Sequence, residues 1–133
     1  MRVAALHRRR VSRCRVVELE PSAGNYQALA GAEFDAGNPR AAYAAALRAL
    51  DAARREGSFN GLFLASKQVC DSIRHGALGT TWRWSQAEPF LRNMEEALPH
   101  LRRWVAPALM AGIEECSVAP LLEWRRLHSL SDR

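Results

Sequence analysis

From Pro21 onward, apolar residues recur every three to four positions, the spacing that places them on one stripe of an α-helix, and Gly, Ser, Asn and Pro punctuate the pattern. Six helices fit. The first spans about Asn25 to Ala36, with Tyr26, Leu29, Ala30 and Phe34 on one face and Gly37 placed to end it in the left-handed conformation. Asn38 then offers a side-chain oxygen to the free amides of the next helix, and Pro39 takes the first helical position, where its missing N–H costs nothing. The second helix, AAYAAALRALDAARRE, carries Tyr43, Ala46, Leu47, Leu50 and Ala53 on one stripe and brings Arg54 and Arg55 to the negative end of its dipole before Gly57. Ser58 caps a third helix, with Phe59, Leu62, Phe63, Ser66, Val69, Cys70 and Ile73 on its buried side and Gly76 at its end. Such short connections force these three helices to lie antiparallel.

The pattern loosens after Gly76. GALGTTWRWS has two glycines and no helical stripe, and it reads as the one long loop. Either Ser85 or Glu88 caps the next helix, which carries Phe90, Leu91, Met94 and Leu98 on a stripe that continues through Leu101, Trp104 and Val105. Pro99 interrupts that stripe. A proline inside a helix removes a hydrogen bond and clashes with the preceding turn, at about 3 kcal/mol, so a break into a fourth and a fifth helix is favoured over one kinked rod. Pro107 and Pro120 divide the remainder into a segment from Pro107 to about Cys116 and a last one from about Ala119 to Leu130, and the end, SDR, is expected to fray.

Charge separates the chain into two parts. The formal net charge is +5, but Arg2, Arg8, Arg9, Arg10, Arg13 and Arg15 all precede the first acid, Glu18, and without those six the chain has 13 basic residues against 14 acidic ones. The expected organisation is therefore a basic tail over residues 1–20 and a single near-neutral, all-helical domain over 21–133. Arg8, Arg9, Arg10, Arg13 and Arg15 are the residues suited to contacting phosphates of nucleic acid or an anionic membrane surface. Alternation in VSRCRVVELE also permits a short strand, and the composition would suit a solvated leader or an organellar transit peptide. With 48% apolar residues the chain can bury a core, and three scattered cysteines, Cys14, Cys70 and Cys116, do not make a disulfide framework. A cytoplasmic setting is the simplest expectation. No apolar run approaches the length of a transmembrane helix or of a secretory signal.

No local pattern of catalysis or cofactor binding stands out. His7, His75, His100 and His128 are too dispersed for a metal site, and the chain holds no nucleophile elbow, phosphate-binding glycine loop or dinucleotide fingerprint. Neither cofactor nor metal is expected on this reading. Glu114, Glu115 and Cys116 read as a solvated acidic turn beside a buried thiol. Trp82 and Trp84, flanking Arg83 in the glycine-bounded loop, either reach solvent as contact residues or fold back to plug the helix ends.

The stretch from Tyr26 to Leu50 resembles a tetratricopeptide repeat, the helix-turn-helix unit of about 34 residues that stacks into a superhelix. In that register Tyr26 is the large first-helix residue, Leu29 and Ala30 fall on the leucine and small positions, Gly37 on the turn glycine, and Ala42, Ala46 and Ala49 on the small positions of the second helix. A shift of 34 residues puts Asn60, Phe63 and Leu64 on the equivalent positions, but Asp71 falls where the turn glycine belongs. The resemblance implies a stack of antiparallel pairs, later units being irregular like the divergent repeats of bacterial regulators; an irregular helical bundle is the alternative. A stack of this kind implies a non-enzymatic scaffold that binds a protein or peptide on its concave side, with Tyr26, Tyr43, Phe63, Trp82, Arg83 and Trp84 as the expected contact residues. Other expectations are a bacterial regulator contacting nucleic acid through the arginine-rich tail and, last, a small enzyme with a dispersed site.

Overall fold

The computed structural model describes residues 20–129 together with Arg13 and Val16. Over residues 20–129 six α-helices follow in order: α1 Ala23–Asp35, α2 Pro39–Glu56, α3 Phe59–Arg74, α4 Glu88–Trp104, α5 Pro107–Ile113 and α6 Ala119–Ser129. A 3₁₀ turn over Trp84–Gln86 leads into α4, and a π turn over Glu114–Val118 joins α5 to α6. There is no strand among the described residues.

The helix ends show which local signals act alone. Ser22 caps α1, its Oγ accepting from the Asn25 N–H at 3.2 Å, so the helix starts two residues before Asn25. Ser58 caps α3 as its chemistry dictates, accepting from Gly61 N–H at 2.9 Å. Gly57 closes α2 in the left-handed conformation at φ 66°, and Gly37 turns the chain between α1 and α2 at φ 81°. Asn38 behaves differently from expectation: its Oδ1 caps no amide of α2, while its Nδ2 donates to Glu33 Oε2 at 3.3 Å. Neither Ser85 nor Glu88 caps α4. Ala87 stands at that position, and the Glu88 carboxylate is taken by Trp84 Nε1 and Arg125.

α1, α2, α3 and α4 pack each against the next, and α1 also touches α3. Alanine makes the approach close. Ala42, Ala45, Ala46, Ala49, Ala52 and Ala53 of α2 are all buried, so α2 has no solvent on the sides facing α1 and α3. Gly61 of α3 marks the tightest point, since a Cβ there would lie 2.8 Å from Ala53 Cβ. Polar ties reinforce the stack: Ala23 N–H donates to Glu56 Oε2 at 2.9 Å, Gln27 Nε2 to Gly61 O at 3.2 Å, and Gln68 Nε2 to Gln27 O at 2.9 Å.

Two proline expectations are corrected. α4 runs unbroken through Pro99. Leu91, Met94 and Ala97 before the proline and Leu101 after it are buried against the core, so packing on both sides outweighs the lost backbone bond. From Pro107 the chain is helical without interruption to Ser129, because the π turn, closed by Ala119 N–H on Glu114 O, shifts the hydrogen-bond ladder just ahead of Pro120. The expected break near Cys116 is thus a widened turn inside one rod, and Cys116 is exposed in it, not buried.

This rod has few close backbone contacts with the rest of the fold and is held largely by side chains. Trp124 meets Trp84 at 4.9 Å and Trp82 at 5.4 Å between ring centroids, and Leu121 and Val118 complete the buried seam. Arg125 grips α4 twice, with Nη2 donating to Glu88 Oε1 at 3.0 Å and to Glu95 Oε1 at 2.6 Å.

Candidate functional site

The structure does not gather the contact residues expected from sequence into one surface. Phe63 and Trp84 are buried in the core, which removes both as surface contacts, while Tyr26, Tyr43 and Trp82 are half-buried and pack against the same core. Of the loop triplet only Arg83 is exposed. The loop tryptophans fold back because α6 supplies them with Trp124 and His128 as partners; Trp82 lies 5.4 Å from each ring. Among the phosphate-contact residues, Arg13 is helical and exposed, so this position is not a strand; Arg8, Arg9, Arg10 and Arg15 lie outside the described residues.

A residue assigned by its spacing to the buried stripe stands out instead. Trp104 is 88% exposed. The reason lies in the lengths of α3 and α4. The two helices run antiparallel, and Phe59, the first residue of α3, stacks on His100 of α4 with ring centroids 3.5 Å apart and planes 4° from parallel. α4 continues one turn past that contact, so Trp104 extends beyond the start of α3.

The result is an aromatic surface at one end of the molecule. Ser58, Phe59, Asn60, His100, Leu101, Trp104 and Val105 line an open hollow of about 350 Å³ with no carboxylate in its wall. Phe59 itself is 39% exposed and also borders a neighbouring hollow of about 280 Å³ with Ala53, Arg54, Leu62 and Glu96. Arg103, next to Trp104, is exposed, and Arg102 pairs with Glu114 at 2.8 Å. Large exposed aromatics flanked by arginine have the composition of binding hot spots.

The reactive groups elsewhere are placed differently. Burial pushes the Cys70 thiol up to about 12, with the neighbouring Asp71 carboxylate adding to the effect, so it stays protonated and unreactive at neutral pH. The Arg125 guanidinium, hydrogen-bonded to Glu95, holds that carboxyl below its ordinary range. Glu114 is engaged by Arg102, and His75 lies edge-on against Phe34 at 4.8 Å. Among the described residues no group of three or more His, Cys, Asp or Glu side chains is arranged to hold a metal ion, and no helix is long and apolar enough to cross a membrane.

The fold and this surface define an all-helical protein with an exposed aromatic end. Comparison with family models, with curated proteins and with solved structures finds no match to the chain.

Proposed function

We propose that the protein is a non-enzymatic helical scaffold that binds a protein or peptide partner, and that the Phe59–His100–Trp104 end is its main contact surface. One observation carries this reading: a tryptophan 88% exposed beside a solvent-facing aromatic stack. Leaving so large an apolar group in water forgoes burial worth about 2 kcal/mol or more, and a partner that covers it recovers that free energy. The contact of α1 with both α2 and α3 supports a tetratricopeptide-like stack as the frame, since the Gln27-to-Gly61 hydrogen bond links residues 34 positions apart, the repeat length of that family.

The test is capture from the native cell with the full chain as bait, comparing wild type with Trp104→Ala and with the loop variant Arg83→Ala. The expected result is a defined partner retained by Arg83→Ala and reduced at least about tenfold by Trp104→Ala, as for a hot-spot residue. Equal capture by all three proteins would remove the assignment of this surface.

A further inference from the structure

The Trp104 end is complementary to itself. Glu96, His100 and Trp104 follow one another at four-residue spacing in α4, so they share one face of the helix, with Arg103 beside them. α3 runs the other way along this face, and its first residue, Phe59, is level with His100. One turn after His100 stands a projecting ring, Trp104, left almost wholly in solvent. One turn before it, the hollow of about 280 Å³ opens between Phe59, Leu62 and Glu96. Knob and hole thus lie at equal distances on either side of His100, each about 5.4 Å along the helix.

The charges repeat that arrangement. Glu96 at the hollow and Arg103 next to the ring are both exposed, and neither has a hydrogen-bond or ion-pair partner among the described residues. Other charges around the face are engaged within the chain: Arg102 pairs with Glu114 at 2.8 Å, and Arg54 donates to Asn93 Oδ1 at 3.1 Å. A partner carrying one sign of charge satisfies only one of the two open groups. A second copy offers an arginine to the glutamate and a glutamate to the arginine.

We infer that the partner covering this end is a second copy of the chain, in an isologous pair with α4 crossing α4 antiparallel and the two-fold axis near His100. Rotation about that axis sets each Trp104 into the other copy's hollow beside Phe59 and Leu62, and each Arg103 opposite the other copy's Glu96. The inference rests on the reading of this end as the contact surface and names what it contacts.

The area is consistent with such a pair and sets its strength. Phe59, Trp104 and the exposed Ala106, Pro107, Ala108 and Leu109 leave roughly 400 Å² of apolar surface open, the size of patch that marks an interaction site. Covered in both copies this makes roughly 800 Å² before the charged rim is counted, near the low end for a specific interface. The pair is therefore weak, forming as concentration rises and leaving dilute protein monomeric.

Sedimentation equilibrium of the full chain, from micromolar to millimolar concentration, is the test. Wild type should pass from monomer to dimer and no further, because a two-fold contact closes on itself. Trp104→Ala should weaken the dimer by about tenfold or more. Glu96→Arg and Arg103→Glu, each alone, set like charges opposite one another and should weaken it comparably. Mixed in equal amounts, these two variants should recover a heterodimer, because each supplies the charge the other lacks, and misfolding of either cannot produce that recovery. A wild type that stays monomeric at millimolar concentration overturns the inference; a different protein captured through Trp104 from the native cell would then preserve the scaffold reading. A dimer indifferent to Trp104→Ala, or charge variants that do not recover on mixing, overturns the two-fold pairing as well.

Discussion

Phe59 and His100 stack with their ring planes 4° from parallel, and this contact sets where α3 begins relative to α4. Trp104, one turn beyond His100, therefore projects past the start of the neighbouring helix. Its exposure separates binding from stability. Trp104→Ala should change unfolding free energy by less than about 0.5 kcal/mol, as other exposed substitutions do. Phe59→Ala should cost about 1–2 kcal/mol, less than a core phenylalanine because part of the ring is already in water. Urea denaturation of the two variants checks the contrast; a Trp104 variant as unstable as the Phe59 one would mean that the ring is packed.

Of the helical glycines, those at 31 and 61 should respond in opposite directions. Gly61→Ala places a Cβ 2.8 Å from Ala53 Cβ, where both atoms are anchored to backbone, so α2 and α3 must separate at about 1–3 kcal/mol. Gly31→Ala meets nothing closer than 4.0 Å and should raise stability by about 0.5–1 kcal/mol through helix propensity. Thermal melts of the pair test the packing directly.

Cys70 makes stability depend on alkaline pH. Its thiol is raised from 9.0 to about 12 in the folded chain, so above pH 9 the unfolded state releases a proton that the folded state retains. The thiol's contribution is complete below pH 9 and is lost as pH climbs toward 12, with a slope of at most about 1.4 kcal/mol per pH unit. Denaturation at pH 8 and at pH 10.5 should show a fall in wild type that is smaller in Cys70→Ala. An aromatic disulfide reagent should label Cys116 in the folded protein and leave Cys70 unmodified until urea is added.

Arg125 is the main polar fastening of the last rod. Truncation to alanine leaves Glu88 and Glu95 without their shared guanidinium and should cost about 1.5–3 kcal/mol, the range for hydrogen bonds to charged groups. Because Glu95 is held below its ordinary range, its share of stability is present above the unfolded-state value and disappears as pH falls through the lowered one. The acid limb of the stability profile should therefore be shallower in Arg125→Ala than in wild type. Identical acid limbs would show that the pair is not coupled.

Where a helix end depends only on its neighbours in the chain, the sequence is sufficient: Ser58 bonds Gly61, Gly57 takes positive φ, and Pro39 opens α2. The larger departures have a partner distant in the chain. Glu88 is drawn off by Arg125, 37 residues away. Pro99 stays within a helix because buried residues on either side of it hold the rod against α3. Trp82 and Trp84 are in a loop whose composition suggests exposure, but α6 brings Trp124 and His128 to them. Trp104 fails in the opposite sense: its spacing suits the buried stripe, and only the relative lengths of α3 and α4, which no single-helix pattern contains, leave it in solvent. An exposed-residue signal was available only in the fact that α4's stripe outlasts α3 once His100 is set opposite Phe59.

The side-chain attachment of the rod from Pro107 to Ser129 divides the molecule mechanically. α1 to α4 form a block whose backbones interlock through alanine and glycine, whereas the rod is an arm on a two-residue wrist, Val105 and Ala106, latched by Trp124 and Arg125 together with buried Val118 and Leu121 and the Arg102–Glu114 pair. Releasing that latch with Trp124→Ala and Arg125→Ala together should speed amide hydrogen exchange in residues 107–129 and leave the slow-exchanging amides of α2 and α3 in place. That outcome would define an arm that is let go without dismantling the block that carries it.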